Sequence, residues 1–213
     1  MANYNLQKDI EKAIIKYPSL VLLNESKVIT LEGKIPLKKP NGEIITEYFI
    51  RIQYPQRFPY CFPIVFELEE KIPKEVDRHV NQKDGSICFA VRPAERLRCL
   101  NGITTSDFLE KIAIPHFAAQ YLFGNGYKDI LNSGYRHFND GIKQYYLELF
   151  STDSWCEVKE GFERTIRNRL PKRNNICYCG KKKKYKSCHY KPIETLKRLG
   201  IPYLIDELEL LKD

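Results

Sequence analysis

The chain has 213 residues, 43% of them apolar, with fourteen Tyr and eleven Phe, enough for a sizeable core in one domain with an appendage or in two small domains. No run nears the roughly 18 apolar residues of a membrane span, and MANYNLQKDIEK lacks the basic start and apolar centre of an export signal, so a cytoplasmic chain with no membrane contact is expected. The net charge of +8 is unevenly spread: residues 164–198 hold thirteen Lys or Arg against the single acid Glu194, a local +12 that leaves the remainder at −4.

Leu6, Ile10, Ile14 and Ile15 recur at helical spacing within Asn5 to Lys16, which predicts a first amphipathic helix ended by Tyr17-Pro18. Three β-rich runs follow, Lys27 to Leu37, Glu43 to Tyr54 and Phe62 to Leu68. Asn41-Gly42 between the first two is a hairpin signal, because both residues accept positive φ. The third run is reached through Tyr54-Pro-Gln-Arg-Phe-Pro-Tyr-Cys-Phe-Pro63, whose prolines favour a rigid extended connector. Ile72 to Asn101 has no clear period and reads as a long irregular segment, the kind that is functional or disordered in a compact domain.

Thr104-Thr-Ser-Asp107 carries the hydroxyl caps and first-turn acid of a helix start. Phe108, Leu109, Ile112, Phe117 and Tyr121 continue an apolar face, with Pro115 expected to kink or split the helix and Gly124-Asn-Gly126 to end it. Phe138, Ile142, Tyr145 and Leu149 predict a helix over Phe138 to Phe150, and Trp155 to Leu170 a connecting helix. After Pro171 the composition turns polar and basic, which suggests a module boundary; Ile193 to Leu199 and Tyr203 to Leu211 read as two closing helices. The expected fold class is α+β, with a domain over 1–150, a linker over 151–175 and a small module over 176–213.

The irregular segment holds His79-Val-Asn-Gln-Lys-Asp-Gly-Ser-Ile-Cys-Phe89. Cys88 ends a Gly-Ser turn and begins an apolar step. A cysteine displayed on a turn is a candidate nucleophile, and the Asn81 amide a candidate donor to an oxyanion; a buried, inert thiol beside an ordinary loop asparagine is the plain alternative. Asp84 reads as a base for an incoming amine or as a solvated turn acid. Seven cysteines is an odd count, and Cys177, Cys179 and Cys188 fall within twelve residues. That clustering reads as metal ligation in a reducing compartment, with Cys61, Cys99 and Cys156 left as packing residues. Cys177-x-Cys179-x8-Cys188-His189 offers three thiolates and an imidazole, a donor set for tetrahedral structural zinc.

Several of these pieces together resemble the ubiquitin-conjugating enzyme family over about residues 1–150. Tyr54-Pro-x-x-Phe-Pro-x-x-x-Pro63 running into Ile64-Val-Phe66 is similar to that family's Tyr-Pro-x-x-Pro-Pro signature. His79-Val-Asn81 resembles its His-Pro-Asn tripeptide, and Gly85-Ser-Ile-Cys88-Phe its active-site run. Val80 replaces the proline and the spacer to the cysteine is one residue shorter. Arg136-His-Phe-Asn-Asp-Gly141 with Tyr145-Tyr146 is similar to the end of prokaryotic members found in antiphage operons, including cyclic-oligonucleotide signalling systems. The resemblance implies the conjugating-enzyme fold and a thioester on Cys88. It implies Asn81 as oxyanion donor or loop brace and His79 as a brace on the loop backbone. It implies as partner a protein C-terminus, on a ubiquitin-like modifier or a cGAS-like nucleotidyltransferase. No Gly-rich nucleotide loop is present, so loading requires either a separate activating enzyme or an already activated target.

The tail is similar to the SEC-C motif, matching its ligand spacing, Tyr185 and the flanking lysines, although the usual Gly-Ser-Gly is here Gly180-Lys-Lys182. Three functions follow as expectations. The first is a transferase acting through Cys88. The second is an adaptor of the same fold that recruits a partner through its zinc and basic tail. The third, nucleic-acid binding through the basic stretch, has no base-reading motif behind it and is not the expected partner.

Overall fold

The computed structural model describes residues 4–23, 28–132 and 135–212. The chain divides into two compact units, Met1–Ala90 with Arg98–Gly134, and Val91–Leu97 with Tyr135–Asp213. Both helix and antiparallel sheet are present, so the expected α+β class holds.

In the first unit α1 (Leu6–Lys16) is capped by the Asn5 side chain, which accepts the Lys8 N–H. A four-stranded antiparallel sheet follows in the order β1 (Val21–Leu23), β2 (Thr30–Lys38), β3 (Ile44–Gln53), β4 (Ile64–Glu67). The sequence predicts three of these strands. The short edge strand β1 has no alternation long enough to be read, and Lys27, the expected start of β2, lies outside the described residues. Along β2 and β3 the side chains alternate, so that Leu31, Ile35, Leu37, Tyr48, Ile50 and Ile52 enter the core. Gly33 on β2 is required by packing, since a Cβ there would lie 2.0 Å from the Ser19 carbonyl oxygen.

The helical face over this sheet runs from α3 (Thr105–Phe108) through a π-helical turn at Leu109–Ala113 into α4 (Ile114–Gly124). Pro115 explains the break: it has no N–H to donate to the preceding turn, and it sits in the first turn of α4, where none is needed. Phe117 stacks on Tyr48 with centroids 4.7 Å apart. Buried Asp9 ties α1 to α3 by accepting the Thr105 N–H at 2.8 Å and its hydroxyl at 2.7 Å. The Tyr54 hydroxyl of the proline-rich connector meets the same Thr105 hydroxyl at 2.9 Å. A four-residue helix, α5 (Asp129–Asn132), follows α4.

The second unit is helical. It contains residues of α2 (Arg92–Arg98), together with α6 (Phe138–Phe150), α7 (Trp155–Ile166), α8 (Tyr190–Leu199) and α9 (Ile201–Leu210). α2 lies within the stretch expected to be irregular. Pro93 there stands at the second helical position, where a missing N–H is harmless. Ile142, Tyr146 and Phe150 of α6 pack with Val158 and Phe162 of α7, Ile193, Leu196 and Leu199 of α8, and Leu204 of α9. Cys177 and Tyr185 are buried in the same cluster. The limits set at 150 and 175 therefore do not coincide with the observed division. α6 belongs with the C-terminal helices, α7 is a core helix and not a linker, and residues 176–213 share its core. An apolar face is visible in sequence, but the core it joins is not.

Candidate functional site

The first candidate site is a short hairpin that ends at Cys88. After the 3-10 turn Val76–Arg78, His79 takes a left-handed backbone at φ 54° and turns the chain back on itself. Val80 and Ile87 then face each other as an antiparallel bridge, with the Asn81 N–H donating to Ser86 O at 2.8 Å and the Cys88 N–H to His79 O at 2.8 Å. Val80 and Ile87 are buried, while Cys88 and Asn81 are exposed. The Ser86–Ile87 leg continues the sheet, because Ser86 bridges Phe66 and the Ile87 N–H donates to Val65 O at 2.8 Å. The cysteine thus stands at the free end of a strand fixed to β4.

The connecting turn is held by its own side chains. Asn81 Oδ1 accepts the Lys83 N–H at 3.1 Å, and Asp84 Oδ1 accepts both the Ser86 N–H at 2.9 Å and its hydroxyl at 2.7 Å. Gly85 sits at φ 78°, a conformation that favours glycine. The Ser86 bonds hold the Asp84 carboxyl below its usual range, which weakens it as a base and makes it a turn acid.

Of the three sequence-predicted residues, His79 lies directly across the hairpin from Cys88, whereas Asn81 faces Ser86, two residues further along. Diagonal neighbours of this kind are about 7–8 Å apart in antiparallel pairs. Among the described residues the Asn81 amide nitrogen donates to no protein atom, so it keeps a hydrogen to offer. The Cys88 thiol lies 3.8 Å from the Ala90 carbonyl oxygen, a weak acceptor for its proton.

The sequence did not point to the group that anchors this hairpin to α4. Arg78 donates from Nε to Gln120 Oε1 at 2.8 Å, and Gln120 Nε2 donates to the Arg78 carbonyl at 2.8 Å. The same amide nitrogen is 3.3 Å from His116 Nε2, which makes that nitrogen an acceptor and leaves the proton on Nδ1. The His116 ring is 6.3 Å from His79 and 5.1 Å from Phe89. Burial first, then the neighbouring His79 and Arg78, push His116 down to about 4, so it is neutral at physiological pH.

The second candidate site is in the helical unit. Cys177, Cys179, Cys188 and His189 bring their ligand atoms within 4.8 Å of one another, a group that can hold a metal ion. A pseudo-hairpin does this: the Cys177 N–H donates to Lys183 O at 2.8 Å, Ile176 bridges Lys184, and the turn Tyr185–Ser187 delivers Cys188 and His189 to the start of α8. Lys182 adopts a left-handed backbone at φ 52°. His189 Nδ1 is 3.3 Å from Cys177 Sγ and 3.6 Å from Cys188 Sγ, and Cys179 Sγ is 3.5 Å from Cys188 Sγ. His189 Nε2 is 2.9 Å from Glu157 Oε1, a residue outside the predicted set. Burial, then Cys179 and Cys177, push the Cys188 thiol up to about 12; a divalent cation acts in the opposite sense, because it holds thiols as thiolates. The donors fit a closed four-coordinate ion by number, type and convergence.

Of the remaining cysteines, Cys99 is buried as expected and Cys61 is half-buried against the core. Cys156 is exposed near the start of α7 and so is not a packing residue. Among the described residues no helix is long and apolar enough to cross a membrane. No family model, curated protein or solved structure matches the chain.

Proposed function

We propose that this protein is a cysteine acyl transferase of the ubiquitin-conjugating kind, with a structural zinc centre in its second unit. The observation that carries the reading is the placement of Cys88: solvent-exposed, at the free end of a strand docked on β4, opposite His79 and with an unused amide donor on Asn81. The order of elements around it, one helix, an antiparallel meander, a cysteine hairpin and then helices, accords with the conjugating-enzyme fold.

In the first step the Cys88 sulfur attacks the carbonyl carbon of an activated C-terminus. The C–S bond forms, the leaving group departs with its electron pair, and the thiol proton passes to solvent. Asn81 donates to the oxyanion through its amide nitrogen. In the second step an acceptor amine displaces the sulfur and the thiol is restored. A thiol nucleophile suits an already activated acyl group, whose leaving group departs readily, better than an unactivated peptide bond. His79 contributes through its carbonyl, which fixes the Cys88 N–H, and is a brace before it is a catalyst.

The donor protein is a ubiquitin-like modifier or a cGAS-like nucleotidyltransferase, its C-terminus is loaded by a separate activating enzyme or arrives already activated, and the setting is bacterial antiphage defence in the cytoplasm. Cys177, Cys179, Cys188 and His189 would hold zinc, which would cross-link the pseudo-hairpin of residues 176–184, the knuckle of the second unit, to the start of α8. One observation favours the adaptor as a second reading: Lys182, Lys183, Lys184 and Lys186 are exposed around Ile176, which is itself 68% exposed, a surface suited to an acidic partner. The two readings separate when the chain is captured with its partner and denatured. An adduct that reductant releases, absent in Cys88→Ala, is the result expected of a transferase. Undiminished capture with no such adduct in either protein leaves only the adaptor.

A further inference from the structure

Ser154-Trp-Cys-Glu157 spells a capping box at the start of α7, in which the serine hydroxyl takes the glutamate N–H and the carboxylate reaches back to the serine N–H. Only the first half is made: Ser154 Oγ accepts the Glu157 N–H at 3.3 Å. The Ser154 N–H goes instead to Thr152 Oγ1 at 3.2 Å. The Glu157 carboxylate has turned inward, away from the cap. Its Oε2 accepts the Thr152 hydroxyl at 2.8 Å, and its Oε1 meets both Lys181 Nζ at 2.8 Å and His189 Nε2 at 2.9 Å.

This matters for the imidazole. With Nε2–H donated to Glu157, Nδ1 is the nitrogen with a free lone pair, and Nδ1 is the one that faces Cys177 and Cys188. The ring is 2% exposed and stacks on Tyr178 with centroids 5.2 Å apart. Its tautomer and its plane are therefore set by groups that are not ligands. Lys181, from within the knuckle, bonds the same carboxylate oxygen and offsets its charge.

We propose that Glu157 is the positioning residue of the metal centre: it holds His189 as the Nδ1 ligand and ties the centre to the first turn of α7. This rests on the zinc reading above. A carboxylate on the second nitrogen of a ligating histidine orients the ring and raises its basicity, and losing such a partner typically costs 10–100-fold in metal affinity.

The test uses the full chain, stripped of metal and titrated with zinc against a chromophoric chelator, with cobalt as a spectroscopic substitute. Wild type is read first: one metal per chain with the cobalt bands of a tetrahedral thiolate site is expected, and no binding would overturn both the zinc reading and this inference. Given binding, Glu157→Ala should weaken zinc by about 10–100-fold and shift the cobalt bands. Glu157→Gln keeps an oxygen to accept the Nε2–H and guards against a folding failure of the alanine variant. It should recover most of the affinity and the wild-type spectrum. Glu160→Ala, on the same helix, should leave both unchanged. Wild-type affinity and spectrum in Glu157→Ala, or equal losses in the alanine and glutamine variants, would overturn the inference while leaving the zinc reading intact.

Discussion

The two thiol sites differ in how their neighbours are recruited. In the helical unit four soft ligand atoms converge within 4.8 Å, and Cys177 and His189 are buried. In the sheet unit Cys88 is exposed, its N–H donates to the His79 carbonyl across the hairpin, and Asn81 pairs with Ser86 two residues along. Convergence of thiols makes a group that can hold a metal ion, because a cation stabilises several thiolates at close range. Display of one thiol on a fixed strand end leaves its sulfur accessible to an acyl carbon. Cys156 shows that exposure alone is not the criterion, since it is exposed near the start of α7 but lies in no such framework.

The contrast can be broken most sharply by removing metal. Structural zinc in small modules is worth about 10–16 kcal/mol of folding free energy. The knuckle shares the core of the helical unit, so chelation should cost that unit several kcal/mol and strip hydrogen-exchange protection from α6 to α9. Peptides of β2 and β3 should keep theirs, and equal loss across both units would contradict the division. Cys177→Ala should act like chelation, whereas Cys88→Ala, at an exposed position, should change stability by no more than about 0.5 kcal/mol.

A smaller effect probes the anchor of the hairpin. His116 is pushed below the ordinary histidine value to about 4, so the folded state favours its neutral form. The unfolded chain binds this proton first as pH falls, and the group's contribution is full above about pH 6.5 and lost by about pH 4. The loss should be at most about 3 kcal/mol. Urea unfolding at pH 7 and at pH 4.5 should show a smaller drop in His116→Phe than in wild type, with the ring packing on Phe89 retained. Identical drops would remove His116 from the anchor. The smallest effect concerns the knuckle turn: Lys182→Gly relieves a left-handed lysine, worth about 1–2 kcal/mol before the entropy of glycine is counted. A net gain of roughly 0.5 kcal/mol in the metal-loaded protein is expected, measured as a shift of the urea midpoint.

What was legible in the sequence follows the same contrast. The four residues of the Cys/His group lie within thirteen consecutive residues, so their spacing exposed them. The bounds of α6 and the Asn-Gly hairpin were equally local. The anchor of the Cys88 hairpin was not, because Arg78 meets Gln120 and His116 only after the sheet and α4 have formed. α2 was missed because Ile72 to Asn101 shows no clear period, and a seven-residue helix is too short to impose one. The Ser-x-x-Glu spelling at 154–157 was visible, but the diversion of its carboxylate to His189 depends on packing between helix and knuckle.

The thioester is tested most directly by locating it. The chain is coexpressed with the genes that flank it, quenched in acid without reductant, digested, and each cysteine peptide is weighed. The account predicts a reductant-sensitive acyl mass on the peptide containing Cys88 and none on the one containing Cys156. An acyl mass on Cys156, or an adduct that persists in Cys88→Ala, would contradict it.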